Sequence, residues 1–573
     1  VNLQNIVYHL EQGALRQLVV AGACLVILSV FAVYFSATQF KGLNYATAMD
    51  QAQVAREFSR GHGWTTKFVR PLAIHQIEAH KKGSLDFNRF PDTVNPPLYP
   101  AVLGTVFKLT GTDFDVKPEA LRNFTRYAPE TWILVVNGFL AVFAMILAYL
   151  WAVRTFDHRV AVCMVILVGI SELFWSHVIS GLPTSLLMAL LAGIGLLLNE
   201  SSLASDEERP VVSLGCYLGA CLLAGLACLT SYLFIGILPA LILFGMFAIR
   251  PRYVAGVVGG LLTLGLISVW LLRNYQITGH PFGTSWAFWF FDYNPVMGNE
   301  LWRILDYKSG DVVSFRHFMR ALLLGLQGQM AQLTVLIGSV PVLVLFGASI
   351  FHVFRSSHAQ WNRWFWVVAA FGLFLANAFG FRENRPESWM ELNNLVVLLP
   401  ALALFGSAFL FVLIERMSLP VDLLKHAVVF LVCLAGAVPL MARVFVPGSP
   451  TIFAYPPYFP PILVFAKQWI GPEEAYVSDM PWASSWYSDR TVMWIPRTRK
   501  EFLYVNDFQK KMVALLVTPI SRDASLHTEI ENGEYRDWHL VIKRQSLMEL
   551  PFGAVTRLPP NNEYLILADQ KRW

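Results

Sequence analysis

The chain has 573 residues, of which 55% are hydrophobic and 14% charged, against roughly 25% charged in an average soluble protein. That balance excludes a water-soluble enzyme and a disordered chain. The net charge of +5, from 44 Lys and Arg against 39 Asp and Glu, implies no basic surface for a nucleic acid. Cys24, Cys163, Cys216, Cys221, Cys228 and Cys433 all fall in apolar runs, where thiols act as small hydrophobes, and no disulfide framework or zinc-ligand spacing is readable.

Eleven apolar runs are long enough to cross about 30 Å of hydrocarbon. They cover 17–38, 131–153, 160–175, 178–198, 211–229, 231–249, 253–272, 330–354, 364–381, 393–414 and 426–443. The first follows Arg16 and precedes no small-residue cleavage site, so it is expected to be a retained anchor. The third and fourth runs, and the fifth and sixth, nearly touch, which predicts two tight helical hairpins.

With a cytoplasmic N-terminus, every inside segment is basic: Arg16; Arg154 and Arg159; Arg209; Arg250 and Arg252; Arg355 and Arg363; Arg416 and Lys425. The turns at Trp175–His177 and Thr230–Ser231 carry no Lys or Arg. The positive-inside rule then places 39–130, 273–329, 382–392 and 444–573 outside. The expected fold is an α-helical polytopic membrane protein. Residues 1–445 form its transmembrane module, with large outer loops at 39–130 and 273–329, and 446–573 form a small extracytoplasmic α/β domain.

In that last segment the predicted strands are Ala475–Val477, Thr491–Ile495, Met512–Val517, Trp538–Ile542 and Tyr564–Leu567, with a helix near Arg499–Phe508. Tyr455-Pro-Pro-Tyr-Phe-Pro-Pro461 reads as a stiff extended linker. A transporter ranks last, because no internal repeat is present and the middles of the spans are almost free of ionisable residues.

The first outer loop carries Ala48-Met-Asp-Gln-Ala-Gln-Val-Ala-Arg56, Gly61-His-Gly-Trp64 and Phe90-Pro-Asp-Thr-Val-Asn-Pro-Pro-Leu-Tyr-Pro100. A helix is predicted near 47–59, with Val54, Ala55 and Phe58 on one face suited to the membrane surface. Asp50 falls in its first turn. Thr47-x-x-Asp50 reads as a capping box, and equally as a carboxylate held at the bilayer edge as a general base. The two readings are compatible.

An Asp soon after the first span, an Ala-Arg on the same helix, a Gly-x-Gly and a Pro-Pro-Leu-Tyr-Pro element together resemble the C-type (GT-C) membrane glycosyltransferases. The likeness is to their family 39-like branch of protein O-mannosyltransferases and lipid A aminoarabinose transferases. Trp270-Leu-Leu-Arg-Asn-Tyr-Gln-Ile-Thr-Gly-His-Pro-Phe282 is similar to that family's Arg-Asn-Tyr-x-x-x-Gly-x-Pro segment. The likeness spans roughly residues 15–415. The C-terminal segment resembles the outer domain of some bacterial members.

The resemblance implies transfer of a sugar from a polyprenyl-phosphate donor to a glycan, lipid or protein acceptor at the outer face of a bacterial inner membrane. It implies Asp50 as catalytic base and Arg273, supported by Asn274 and Tyr275, facing the donor phosphate. Arg382 and Arg385, in Phe381-Arg-Glu-Asn-Arg-Pro-Glu-Ser-Trp389, are further phosphate candidates, or part of a self-neutralising ion cluster. Arg70 and Arg56 are cationic candidates that serve equally as loop-folding residues.

Many relatives carry a second acid at the outer start of the fourth span. This chain has Ile179-Ser-Gly-Leu-Pro-Thr-Ser185 there, which leaves Glu172 or Asp92 to substitute. With one carboxylate placed by motif, no tightly held metal is expected, and a divalent cation is the one cofactor left open. The missing acid and the large outer domain also keep open a non-catalytic subunit of this fold, acting as structural or assembly partner in a membrane complex.

Overall fold

The computed structural model describes residues 14–80, 85–116, 127–250, 252–287, 300–305, 315–380, 391, 393–417, 422–445, 460–522, 530–533, 535–543, 550–558 and 564–573. Arg382, Arg385 and the Pro-rich linker at 455–459 lie outside these residues.

Each of the eleven apolar runs is helical over most of its described residues. Seven are single helices long and apolar enough to span a bilayer: Val19–Gln39, Ala128–Thr155, Thr184–Asp206, Pro210–Cys228, Val254–Thr278, Val396–Arg416 and Leu423–Phe445. The chain is a multi-pass membrane protein. The other runs are shorter or broken at identifiable residues. His158–Gly169 and Glu172–Val178 meet at a bend of 68°, where Ser171 caps the second piece through the Phe174 N–H. The expected hairpin of the third and fourth runs is therefore a kinked span followed by a separate helix.

Residues 231–249 begin as a 3-10 turn, Tyr232–Ile237, before the helix Leu238–Phe247. The 330–354 run breaks at Gly338, whose φ of +75° ends Leu333–Ile337 before Val340–Ser349 begins. The described part of the ninth run, 364–380, lies within the helix Ser357–Gly380. Large aromatics fill the bundle, with Trp151 packed on Trp366 at 5.3 Å.

The described residues contain eight strands, in chain order β1 (Thr65–Thr66), β2 (Phe68–Val69), β3 (Phe90–Pro91), β4 (Ala475–Ser478), β5 (Thr491–Trp494), β6 (Met512–Val517), β7 (Ala554–Leu558) and β8 (Tyr564–Ala568). β1 and β3 pair antiparallel. The other six form one sheet in the order β2-β5-β4-β6-β8-β7. Its first four strands run parallel and its last two antiparallel to their neighbours.

Two features differ from expectation. Trp538–Ile542 is not a strand: it is a 3-10 turn running into a short helix. A short, mainly apolar run of that length does not distinguish the two by periodicity, and Trp538 is fixed by donating its indole N–H to the Pro496 carbonyl at 2.8 Å. The sheet also takes β2 from the segment that follows the first span, with Phe68 opposite Val492 and Val69 opposite Met493. The expected helix near 499–508 is present, started by a Thr498/Glu501 capping box.

Candidate active site

Asp50 lies on the helix Ala46–Ser59, whose alanines and unbranched side chains favour that conformation. Its N-cap is Tyr45, which makes no side-chain cap, and no acid falls in its first turn. The Thr47/Asp50 capping box is therefore not formed: the helix begins two residues earlier than a Thr47 cap would set it, which leaves Thr47 inside it. Thr47 donates its hydroxyl to Glu391 at 3.1 Å, and Glu391 also accepts the Ala46 N–H. Ala48 to Glu57 are buried without interruption, so this helix is embedded in protein and does not lie along a membrane surface. The helix Leu98–Thr110, opened by the Pro-Pro-Leu-Tyr-Pro element, crosses it closely. A side chain on Gly104 would meet the Ala55 carbonyl at 2.7 Å.

Asp50 is 2% exposed. Its Oδ2 accepts from Arg70 Nη2 at 2.6 Å and from Asn95 Nδ2 at 2.9 Å. Its buried Oδ1 has no protein partner. Arg70 follows β2 directly and lies between the rings of Phe68 (3.9 Å to the centroid) and Trp302 (5.2 Å). Such stacking suits a planar guanidinium and fixes its orientation.

Asp92 is buried beside this pair in a turn in which its Oδ1 accepts the Val94 and Asn95 N–H groups. Burial, reinforced by the Asp50 carboxylate, pushes its carboxyl up, and Arg70 and Arg273 offset this in part. Two carboxyl groups thus sit in one buried site with different partners, Asp50 held by a guanidinium and an amide and Asp92 by two backbone N–H groups.

Arg273 lies near the C-terminal end of the helix Val254–Thr278. It donates to the Asp92 carbonyl, to the Trp64 carbonyl at 3.1 Å and to Asn274 Oδ1 at 3.0 Å, and it stacks on Trp270 at 4.5 Å. Asn274 is buried and donates to the Tyr232 hydroxyl. Tyr275 is exposed, with its ring near His80. The motif glycine Gly279 ends the span in a left-handed turn at φ +75°, a conformation open to glycine at little cost.

Of the proposed second acids, Asp92 joins Asp50. Glu172 instead pairs with Arg443 of the last span, which also donates to Ser176. Arg56 is fully buried and faces away from the Asp50 pair: it donates to the carbonyls of Trp486 (2.8 Å) and Ser485 (3.1 Å) and pairs with Asp489 at 3.3 Å.

Three participants were not singled out by sequence: Asn95, Glu391 and Arg443. Asn95 sits inside the Pro-Pro motif, Glu391 follows the Arg/Glu-rich loop, and Arg443 is the basic residue in the last turn of its span. None has a spacing signal, because each meets its partner only through the fold. A cation site does not fit the described donors. No group of three or more His, Cys, Asp or Glu converges among them, and one Asp50 oxygen is already held by Arg70 and Asn95, well short of the oxygen shell a divalent cation takes.

This architecture has solved counterparts. ArnT from Cupriavidus metallidurans, bound to undecaprenyl phosphate, superposes with a TM-score of 0.53 at 12% identity, covering 95% of this chain and 97% of that one. The Archaeoglobus fulgidus oligosaccharyltransferase complexed with Zn and sulfate gives 0.55 at 12% identity, covering 90% and 70%. Its relative described as archaeal AglB, with an inhibitory peptide and a dolichol-phosphate, gives 0.54 at 12% identity, covering 96% and 74%. The chain has the GT-C glycosyltransferase fold. No protein-family model and no curated protein matches the sequence.

Proposed function

We propose that this GT-C protein is an inverting glycosyltransferase, moving one sugar from a polyprenyl-phosphate donor to an acceptor at the outer face of a bacterial inner membrane. One observation carries the reading: Asp50 has one oxygen locked by Arg70 and Asn95 while the other, buried, is without a partner. A carboxylate held in that way is oriented to accept a proton at one atom. In the reaction Oδ1 takes the acceptor hydroxyl proton as that oxygen bonds to the anomeric carbon. The bond from that carbon to the phosphate oxygen breaks, and polyprenyl phosphate leaves with its electron pair.

Arg273 and Arg443, both at outer ends of spans, are the cations proposed to meet the donor phosphate, with Arg382 and Arg385 as further candidates. The solved neighbours bound to polyprenyl or dolichol phosphate support this class of donor. The test is transfer of labelled sugar by purified protein. Wild type transfers and Asp50→Asn keeps only a small residual rate; undiminished transfer by the variant removes Asp50 from the mechanism.

A second reading, a non-catalytic subunit of the same fold, is favoured by how completely protein encloses Asp50 and by the backbone carbonyls that occupy Arg273. It predicts no transfer from any polyprenyl-phosphate sugar together with a stable co-purifying membrane partner.

A further inference from the structure

The two members of the central ion pair come from different elements of the segment that follows the first span, and the C-terminal domain grips both. Asp50 rides on the helix Ala46–Ser59. Roughly two turns further along the same helix, Arg56 reaches into the domain and donates to the carbonyls of Ser485 and Trp486 on the helix Pro481–Ser488. Arg70 is set by β2, which the sheet has annexed: the Val492 N–H of β5 donates to the Lys67 carbonyl at 2.8 Å, and Val69 lies opposite Met493.

The second ring over Arg70, Trp302, is held by the segment that directly follows β5. Arg303, next to Trp302, donates through Nε to the Ile495 carbonyl at 2.7 Å and through Nη2 to the Pro496 carbonyl at 3.3 Å. Its own carbonyl accepts the Arg497 N–H at 2.8 Å. Two buried arginines bonded to backbone carbonyls leave little freedom at either joint, since an unpaired buried guanidinium is costly.

We propose that the C-terminal domain is a clamp that orients Asp50 against Arg70, with Arg56 and Arg303 as positioning residues on the two sides of the clamp. The kinetic consequence rests on the transferase reading above; the structural coupling does not. A displacement of about 1 Å at a base costs on the order of a hundredfold in rate without altering donor binding by remote parts of the site.

The experiment uses the full chain in lipid nanodiscs. Arg56→Ala and Arg303→Ala each lower kcat at least tenfold while the donor KM stays within about twofold. In an Asp50→Asn background neither change lowers the residual rate further, because no oriented base is left to misplace. Should either variant fail to fold, Arg56→Lys and Arg303→Lys keep the charge and lose the forked donation, and the same pattern is expected at smaller size.

Amide hydrogen exchange supplies a second reading that needs no turnover. Arg56→Ala raises exchange at Phe68–Val69 as well as at 481–488. Unchanged kcat, an equal loss in the Asp50→Asn background, or exchange confined to 481–488 overturns the clamp. If wild type transfers no sugar, the transferase reading fails, while the exchange measurement still decides the clamp.

Discussion

Glu391 accepts the backbone N–H of Ala46, and so caps the helix that carries Asp50 from 345 residues away in sequence. A helix start leaves N–H groups without intrahelical partners, and a carboxylate there satisfies them and complements the positive end of the helix. The cap that local sequence predicted from Thr47 and Asp50 is thus supplied by a different loop, which frees Asp50 for the interior.

Removing this cap has a measurable cost. Glu391→Ala is expected to destabilise the protein by about 1 kcal/mol, the usual worth of an N-cap, read as a lower thermal midpoint in detergent. Burial, with a smaller contribution from Asp50, pushes the Glu391 carboxyl up to about 7. A folded value above the free value of 4.5 means that folding favours the protonated form. The associated stabilisation is complete below the free value and is lost as pH rises through the folded one. Wild type should therefore lose more thermal stability than Glu391→Gln across that window. Equal slopes in the two proteins would refute the assignment.

Asp489 presents the opposite sign. Burial alone would raise its carboxyl, but Arg56, Arg60 and Lys67 outweigh it and hold Asp489 well below the usual carboxylate range. Its stabilisation is present above the free value of 3.8 and is lost only as pH falls further, so it is constant across neutral pH. Asp489→Ala leaves buried Arg56 and largely buried Lys67 with Glu57, at 3.6 and 3.8 Å, as their remaining carboxylate, at a cost of roughly 2 kcal/mol for the lost charged hydrogen bonds. The loss should be nearly independent of salt, in contrast to a surface pair.

Arg70 acts by charge and by shape. Arg70→Gln is expected to lower the transfer rate about a hundredfold, comparable to losing one preorganised electrostatic partner. Arg70→Lys retains the charge and loses the fit between Phe68 and Trp302, so it should recover only part of that rate. Full recovery by lysine would mean that the stacked geometry is immaterial.

Arg443 and Arg273 separate two roles for cations near the ends of spans. Arg443 pairs with Glu172 at the end of the last span; Arg443→Gln should raise the donor KM roughly tenfold, about 1.4 kcal/mol of binding, with kcat nearly unchanged. Arg273 holds the Trp64 and Asp92 carbonyls, so Arg273→Gln should also lower kcat by loosening the turn that contains Asp92. Identical KM-only effects in both variants would contradict the second role.

Much of the scaffold is legible because it is local. A run of apolar residues must be helical in hydrocarbon, where each backbone polar group has to be satisfied within its own segment, and each of the eleven runs is so over most of its described residues. Their breaks are less legible: Gly338 and the Ser171 cap divide helices that hydropathy joins. The helix of Asp50 is readable from its composition. Its burial is not, because the partners of Arg56 lie more than 400 residues away. Trp538–Ile542 shows the same limit, since its helical turn follows from where the indole is buried.

The sequence by itself determined that the chain crosses a membrane repeatedly, that its chemistry-bearing residues gather in the segments between spans, and that Asp50 and Arg273 stand in recurrent motifs. Tertiary structure alone decided which of those groups meet. It placed Arg70, Asn95 and Asp92 around Asp50, committed Arg56 to the C-terminal domain and Arg273 to backbone carbonyls, and drew β2 into a sheet whose other strands come from the far end of the chain. Apolar patterning acts over a few residues, whereas ion pairs and strand registers between remote segments depend on which surfaces the folded bundle brings within a few ångströms.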